Sequence, residues 1–226
     1  MPSKAFLPPP TLERLARIYV ILGKLSLKGL EVVSSKELSV LLGVPDHTIR
    51  KDISLLKGEG IKEQTLEQEI GGKGKGYPII GLRSLIGHCL GFSQPRSACI
   101  VGLGNLGKAM LHRKIWQEGV YRLAAAFDSS ENQLELLKTT VPLYHVRELE
   151  RVVKQERIEI GIITVPAEAA QNIADRLVQG GIRGIINFAP TVLTVPSPHV
   201  IVRNLSLAGE LHVLSAYLHQ EEENNG

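Results

Sequence analysis

The sequence predicts an α/β fold in two parts, a small helical domain followed by a parallel sheet with helices packed on it. Three observations carry this. The apolar run Ser97-Ala98-Cys99-Ile100-Val101 ends in Gly102-Leu103-Gly104-Asn105-Leu106-Gly107, and a helical pattern follows from Leu106 through Trp116. Apolar strands and helical patterns then alternate, the order of βαβ units with right-handed crossovers. Ahead of them, two short helical patterns separated by Gly43-Val44-Pro45 follow a longer one, the arrangement of a helix-turn-helix.

At 226 residues, 43% hydrophobic and 22% charged, the chain has room for two modest domains and too much apolar content for disorder. The net charge of +3 is unevenly placed. Residues 1–92 carry 13 Lys/Arg against 9 Asp/Glu, and the remainder 13 against 14. The positive excess ahead of the glycine turn favours a polyanionic partner there, with ordinary solvated charge as the plainer alternative. Cys89 and Cys99 sit among apolar neighbours, so inert thiols are expected rather than a disulfide framework or a metal site. With no signal-like region and no bilayer-spanning apolar run, a cytoplasmic protein without a membrane partner is expected.

In chain order, Pro8-Pro9-Pro10-Thr11 leads in with Thr11 as N-cap, and Leu12, Leu15, Ala16, Tyr19 and Leu22 follow at helical spacing to near Gly29. Ser34-Ser35-Lys36-Glu37 has capping-box spacing and opens a helix with Leu38, Leu41 and Leu42 on one face. Pro45-Asp46 starts a third helix whose buried stripe is Ile49, Ile53 and Leu56. The remaining face presents His47, Thr48, Arg50 and Lys51 to a major groove, where Arg can bridge a guanine edge; a solvated face is the alternative. The Gly/Lys-rich stretch through Gly71-Gly72-Lys73-Gly74-Lys75-Gly76-Tyr77 reads as a wing, with Lys73 and Lys75 near phosphate, or as a flexible linker. The acidic stretch Glu63–Glu69 is expected on the far side from DNA. A short helix over Gly81–Gly91 leads into the second domain.

There the G-x-G-x-x-G spacing places one glycine for a tight turn, one for backbone approach to a pyrophosphate and one for helix–strand packing. Leu103, Asn105 and Leu106 fill the turn, and the N–H groups opening the helix favour phosphate. Tyr121–Asp128 reads as the second strand. Asp128, 26 positions after Gly102, is the ribose acceptor if the first helix is long, or else a cap for the next helix. No cation follows in Ser129-Ser130-Glu131-Asn132, which favours NAD over NADP. Further strands end at Thr164-Val165-Pro166 and at Asn187-Phe188-Ala189-Pro190, both expected toward the nicotinamide half. Leu207, Leu211, Leu214 and Leu218 form an apolar seam on a terminal helix ahead of a frayed acidic tail. The seam suits a two-fold axis or the chain's own core.

A dehydrogenase needs an acid or base beside the nicotinamide. None of the seven His lies in a recognisable His–Asp or Lys–Asn arrangement, and little chain remains for a substrate domain. No catalytic residue and no metal ligand is therefore assigned.

Taken together, Thr11-x-x-Arg14-Leu15-x-x-x-Tyr19, Ser34-Ser35-x-x-Leu38, Ile49-Arg50-Lys51-Asp52, Gly74-x-Gly76-Tyr77, the glycine turn, Phe127-Asp128, Thr164-Val165-Pro166 with Ala170-Gln171, and Asn187-Phe188-Ala189-Pro190 resemble the Rex family of redox-sensing transcriptional repressors. The resemblance spans essentially the whole chain. It implies a winged helix-turn-helix over residues 1–92, a Rossmann NAD(H) domain over 93–204 and a swapped dimerisation helix and tail over 205–226. It further implies a homodimer on a palindromic double-stranded operator, released when NADH binds. Ser34, Ser35, Lys36 and Tyr77 join the DNA-contacting residues by this resemblance, and Arg14, Tyr77 and Ser206 couple the domains. Thr48 stands where relatives usually have Gln, and Ser206 where they have Asp. An NAD-dependent oxidoreductase, or a constitutive DNA-binding paralogue with weakened redox coupling, is the alternative.

Overall fold

A proline opens the first helix. In the computed structural model, which describes residues 7–56 and 76–225, α1 spans Pro9–Leu27, preceded by Pro8 without a side-chain cap. Proline suits a first turn, where its missing N–H would have no helical partner. The sequence places Thr11 at the cap. It lies instead inside α1, buried, with its hydroxyl donating to Asp52 at 2.9 Å.

The chain divides into two units, Met1–Gln94 and Pro95–Gly226. In the first, β1 (Val32–Val33) precedes α2 (Ser35–Leu42), which ends on Gly43 in the left-handed conformation at φ 67°. That conformation costs glycine little. Pro45 then starts α3 (Asp46–Leu55). The strand β2 (Tyr77–Pro78) pairs antiparallel with β1, Val33 opposite Tyr77, and runs into α4 (Ile79–Cys89), two residues earlier than expected. Leu15, Ile18, Leu22, Leu38, Ile49 and Ile53 share one core with α4. Lys73, Lys75 and the acidic stretch 63–69 lie outside the described residues.

One charged pair is built into this core. Asp52 faces inward from α3 and is 1% exposed. Arg14 grips it with two hydrogen bonds, Nε to Oδ2 at 2.5 Å and Nη2 to Oδ1 at 2.9 Å. Those bonds push the guanidinium pKa further up.

The second unit holds six parallel strands: β3 (Arg96–Val101), β4 (Tyr121–Asp128), β5 (Leu143–His145), β6 (Ile160–Ile163), β7 (Gly184–Asn187) and β8 (Ile201–Asn204). Their order, β5-β4-β3-β6-β7-β8, reverses direction between β3 and β6, which is the doubly wound arrangement. The helices α5 (Asn105–Leu111), α6 (Glu131–Leu136), α7 (Leu149–Gln155) and α8 (Ala167–Gln179) connect them. Along β3, Cys99 and Val101 enter one core cluster and Ile100 the other, as a period of two requires for a strand covered on both faces.

Two expectations are corrected here. The helix after the glycine turn ends at Leu111, not Trp116, and a 3-10 turn follows over Lys114–Gln117. The long interval to Asp128 therefore comes from that turn, not from an extended helix. The acidic tail is helical: α9 runs Leu207–Asn225 and includes Glu221–Glu223. Leu207, Leu211, Leu214 and Leu218 are each more than half exposed on α9.

Breaking a buried pair from one side strands the other charge. Arg14→Met is expected to lower the stability of the first unit by about 3 kcal/mol. Thermal unfolding followed by circular dichroism checks this; an unchanged midpoint would show that Asp52 does not depend on Arg14.

Candidate functional site

In a doubly wound sheet the crevice lies outside the carboxyl ends of the strands at the order reversal, here between β3 and β6, and two glycines shape that edge. Gly102 has φ 98°, and a Cβ there would lie 2.9 Å from the Thr164 backbone. At Gly107 a Cβ would lie 1.9 Å from the Gly102 carbonyl oxygen, so α5 starts in direct contact with the turn. Gly104 is different. Nothing lies within 4 Å of where its Cβ would be, and no side chain caps α5 there. The middle glycine thus offers bare backbone and the first N–H groups of α5 to whatever enters.

Two side chains pin the turn. The Thr164 hydroxyl donates toward the carbonyls of Gly102, at 2.7 Å, and Val101, at 3.1 Å. Asp128 accepts the Leu103 N–H on Oδ2 at 2.6 Å and the Ser130 N–H on Oδ1 at 2.8 Å. A carboxylate has about four acceptor sites, so lone pairs remain for ribose hydroxyls. The cap of α6 is Ser130, whose hydroxyl accepts the Gln133 N–H, so Asp128 is not that cap.

The remaining expected residues divide. Asn105, Leu106 and Pro166 are exposed at the crevice edge, and Val165 and Phe188 are half-buried. Leu103 is fully buried and presents only backbone. Asn187 is fully buried too. Its amide donates to Thr191 O and Asn204 Oδ1 and accepts from Ala189 N, so its side chain shapes the following turn.

In the first unit, α2 and α3 form the helix-turn-helix. Ser34 accepts the Glu37 N–H at 3.1 Å, while Glu37 accepts the Ser34 N–H at 2.7 Å. That backbone hydrogen bond holds the Glu37 carboxyl below its ordinary range. Ser35 is half-buried and Lys36 exposed beside this cap. On α3, Ile49 and Ile53 point into the core, whereas His47, Arg50 and Lys51 are exposed and Thr48 is half-buried. Arg50 pairs loosely with Asp46 at 3.2 Å. Tyr77 stands near both. Burial pushes its phenol pKa up, against the opposing pull of Arg50.

Asp52 is the residue that sequence reasoning missed. Its signal was present: it follows Ile49 by three and precedes Ile53 by one, on the buried stripe of α3. Of the three residues named as coupling the domains, Arg14 is engaged by Asp52 within its own unit, and the Ser206 hydroxyl accepts the Gly209 N–H at 3.0 Å as the cap of α9.

Comparison with known proteins adds the following. Residues 93–191 match the CoA binding domain family, and residues 7–54 match a family described as putative DNA-binding protein N-terminus. The chain is 36% identical over 224 residues to the redox-sensing transcriptional repressor Rex of Lactococcus lactis subsp. cremoris (strain MG1363), covering 98% of both. It is 37% identical over 212 residues to redox-sensing transcriptional repressor Rex 1 of Thermotoga maritima, covering 92% of this chain and 94% of the relative. A solved structure of RSP in complex with beta-NADH has a TM-score of 0.79 at 29% identity, covering 98% of each chain. RSP in complex with beta-NAD+ and operator DNA has a TM-score of 0.78 at 31% identity, covering 98% of this chain and 97% of that one.

The three glycines make separable demands. Gly107→Ala is expected to abolish cooperative unfolding of the second unit, because the methyl group meets backbone. Gly104→Ala is expected to keep the parent melting temperature. Calorimetry on both variants checks this; equal melting temperatures would refute the contact between α5 and the turn.

Proposed function

Because this chain belongs to the Rex family of redox-sensing transcriptional repressors, we propose that it is a DNA-binding repressor for which NAD(H) is a sensed ligand and not a reactant, NADH binding weakening its hold on operator DNA. The observation that carries this is one chain holding both an open dinucleotide turn and a helix-turn-helix with a cationic outer face. That the relatives are named as repressors favours this over the oxidoreductase reading.

In this reading the pyrophosphate lies against Gly104 and the N–H groups of Asn105 and Leu106, where the start of α5 favours negative charge. Asp128 accepts from the ribose with its remaining lone pairs and repels a 2′-phosphate. Val165, Pro166 and Phe188 wall the nicotinamide half, while Thr164 and Asn187 hold the strand ends in place. His47, Thr48, Arg50 and Lys51 read the major groove. Ser34, Ser35 and Lys36 take phosphate, and Lys73, Lys75 and Tyr77 belong to the wing.

The functional division falls at residues 1–92, 93–204 and 205–226. The exposed leucine seam of α9 supports a homodimer, since a helix with Leu207, Leu211, Leu214 and Leu218 more than half exposed gains most by burying them against a second copy. Two subunits then meet a palindromic operator. Arg14, Tyr77 and Ser206 carry the signal between the units. A coupling of roughly 1–3 kcal/mol suffices for a switch. A second reading, constitutive DNA binding, is favoured by one observation: position 206 is a serine whose hydroxyl accepts the Gly209 N–H and carries no charge for an ion pair with Arg14.

A mobility-shift titration with operator DNA separates these readings. NADH is expected to weaken binding by roughly 5- to 150-fold, and NAD+ by much less. Lys51→Ala is expected to weaken DNA binding with NADH affinity unchanged, and Asp128→Ala the reverse. If neither nucleotide alters DNA affinity, the constitutive reading replaces the sensor.

A further inference from the structure

The glycine turn uses only the carboxyl ends of the strands. At the opposite end of the sheet a second cleft of about 620 Å³ opens beside the start of β4, lined by Arg113, Trp116, Arg122, Lys138, Thr139 and Thr140. Arg122 and Asp128 lie at opposite ends of β4, so at about 3.3 Å per residue the two places are about 20 Å apart. This volume is in the range that encloses a small ligand.

The lining has a definite chemistry. The indole N–H of Trp116 donates to the Met110 carbonyl at 2.7 Å, which fixes the ring as one wall. Arg122 is steadied by Ser97, its Nη2 donating to Oγ at 3.2 Å. Neither Arg113, Arg122 nor Lys138 is in an ion pair among the described residues. The concentration is local, because residues 93–226 carry 13 Lys/Arg against 14 Asp/Glu. Arg113 lies just past the end of α5, where a cation complements the helix dipole, but Arg122 and Lys138 belong to other segments and have no such role. Uncompensated cations around a concavity raise the local concentration of anions. Guanidinium forks match phosphate oxygens in pairs, and a fixed aromatic face stacks a base.

We propose that this cleft binds a second nucleotide, a nucleoside polyphosphate, with its base against Trp116 and its phosphates between Arg113, Arg122 and Lys138. The site is separate from the dinucleotide turn. Thr139 and Thr140 add hydroxyl donors at the phosphate end.

The chain's single tryptophan gives the test a direct probe, because Trp116 lines this cleft. Titration of the full-length protein with ATP is expected to quench that fluorescence saturably, and inorganic tripolyphosphate to compete with it. The same response is expected in Gly104→Ala, whose dinucleotide turn is altered. The double substitution Arg113→Ala/Lys138→Ala is expected to weaken ATP binding at least about tenfold, by loss of two charge-assisted contacts. Circular dichroism on the double variant confirms that its fold is retained. Absence of saturable quenching, an unchanged affinity in the double variant, or loss of the response in Gly104→Ala would each overturn the proposal.

Discussion

Where α5 meets the end of β3 there is no space for a methyl group, and the architecture of the second unit follows from that contact. A Cβ at Gly107 would lie 1.9 Å from the Gly102 oxygen, so the helix can start only against the strand end itself. The contact aims the first N–H groups of α5 at the crevice and leaves Gly104 facing open space. Thr164, from the other side of the strand reversal, closes the turn with its hydroxyl, and Asp128 ties Leu103 from β4. Each of these side chains comes from a different strand end. The turn is therefore held by the sheet, and its geometry does not wait for a ligand.

The first unit uses a different device. The second helix of its helix-turn-helix, α3, carries a carboxylate, Asp52, on the buried face, where hydrophobic packing alone would cost less. A buried pair of this kind adds little net stability and is costly to break. It fixes instead how α3 rotates on α1, and with it the direction in which His47, Arg50 and Lys51 point. An apolar residue at position 52 could hold the helix in place but not constrain its rotation through two directed hydrogen bonds and a third from Thr11. The outer face remains cationic, and the loose Asp46–Arg50 contact costs little to release when a phosphate or base competes.

Much of this was legible in the sequence because it is local. The glycine spacing, the apolar run before it and the capping box at Ser34 each lie within about a dozen residues, and the chain folds them as the pattern implies. Some misreadings have long-range causes and others local ones. Asp52 was given no role of its own because its partner Arg14 is 38 positions away. Asn187 stands at a strand end, but Asn204 on the next strand and Thr191 consume its amide. The end of α5 was misplaced because Lys114–Gln117 keeps helical composition while adopting the tighter 3-10 turn. Ser206 was read by its difference from relatives, whereas its local hydrogen bond is simply a helix cap.

In the proposed function, the dinucleotide turn in one unit and α3 in the other are linked in free energy. Linkage is reciprocal: whatever factor NADH takes from DNA affinity, DNA must take from NADH affinity. The direct test is to measure the NADH dissociation constant by calorimetry on the free protein and on the protein saturated with operator DNA. Weaker NADH binding to the DNA complex is expected, by the same factor that NADH weakens DNA binding. Equal NADH affinity with and without operator would contradict it.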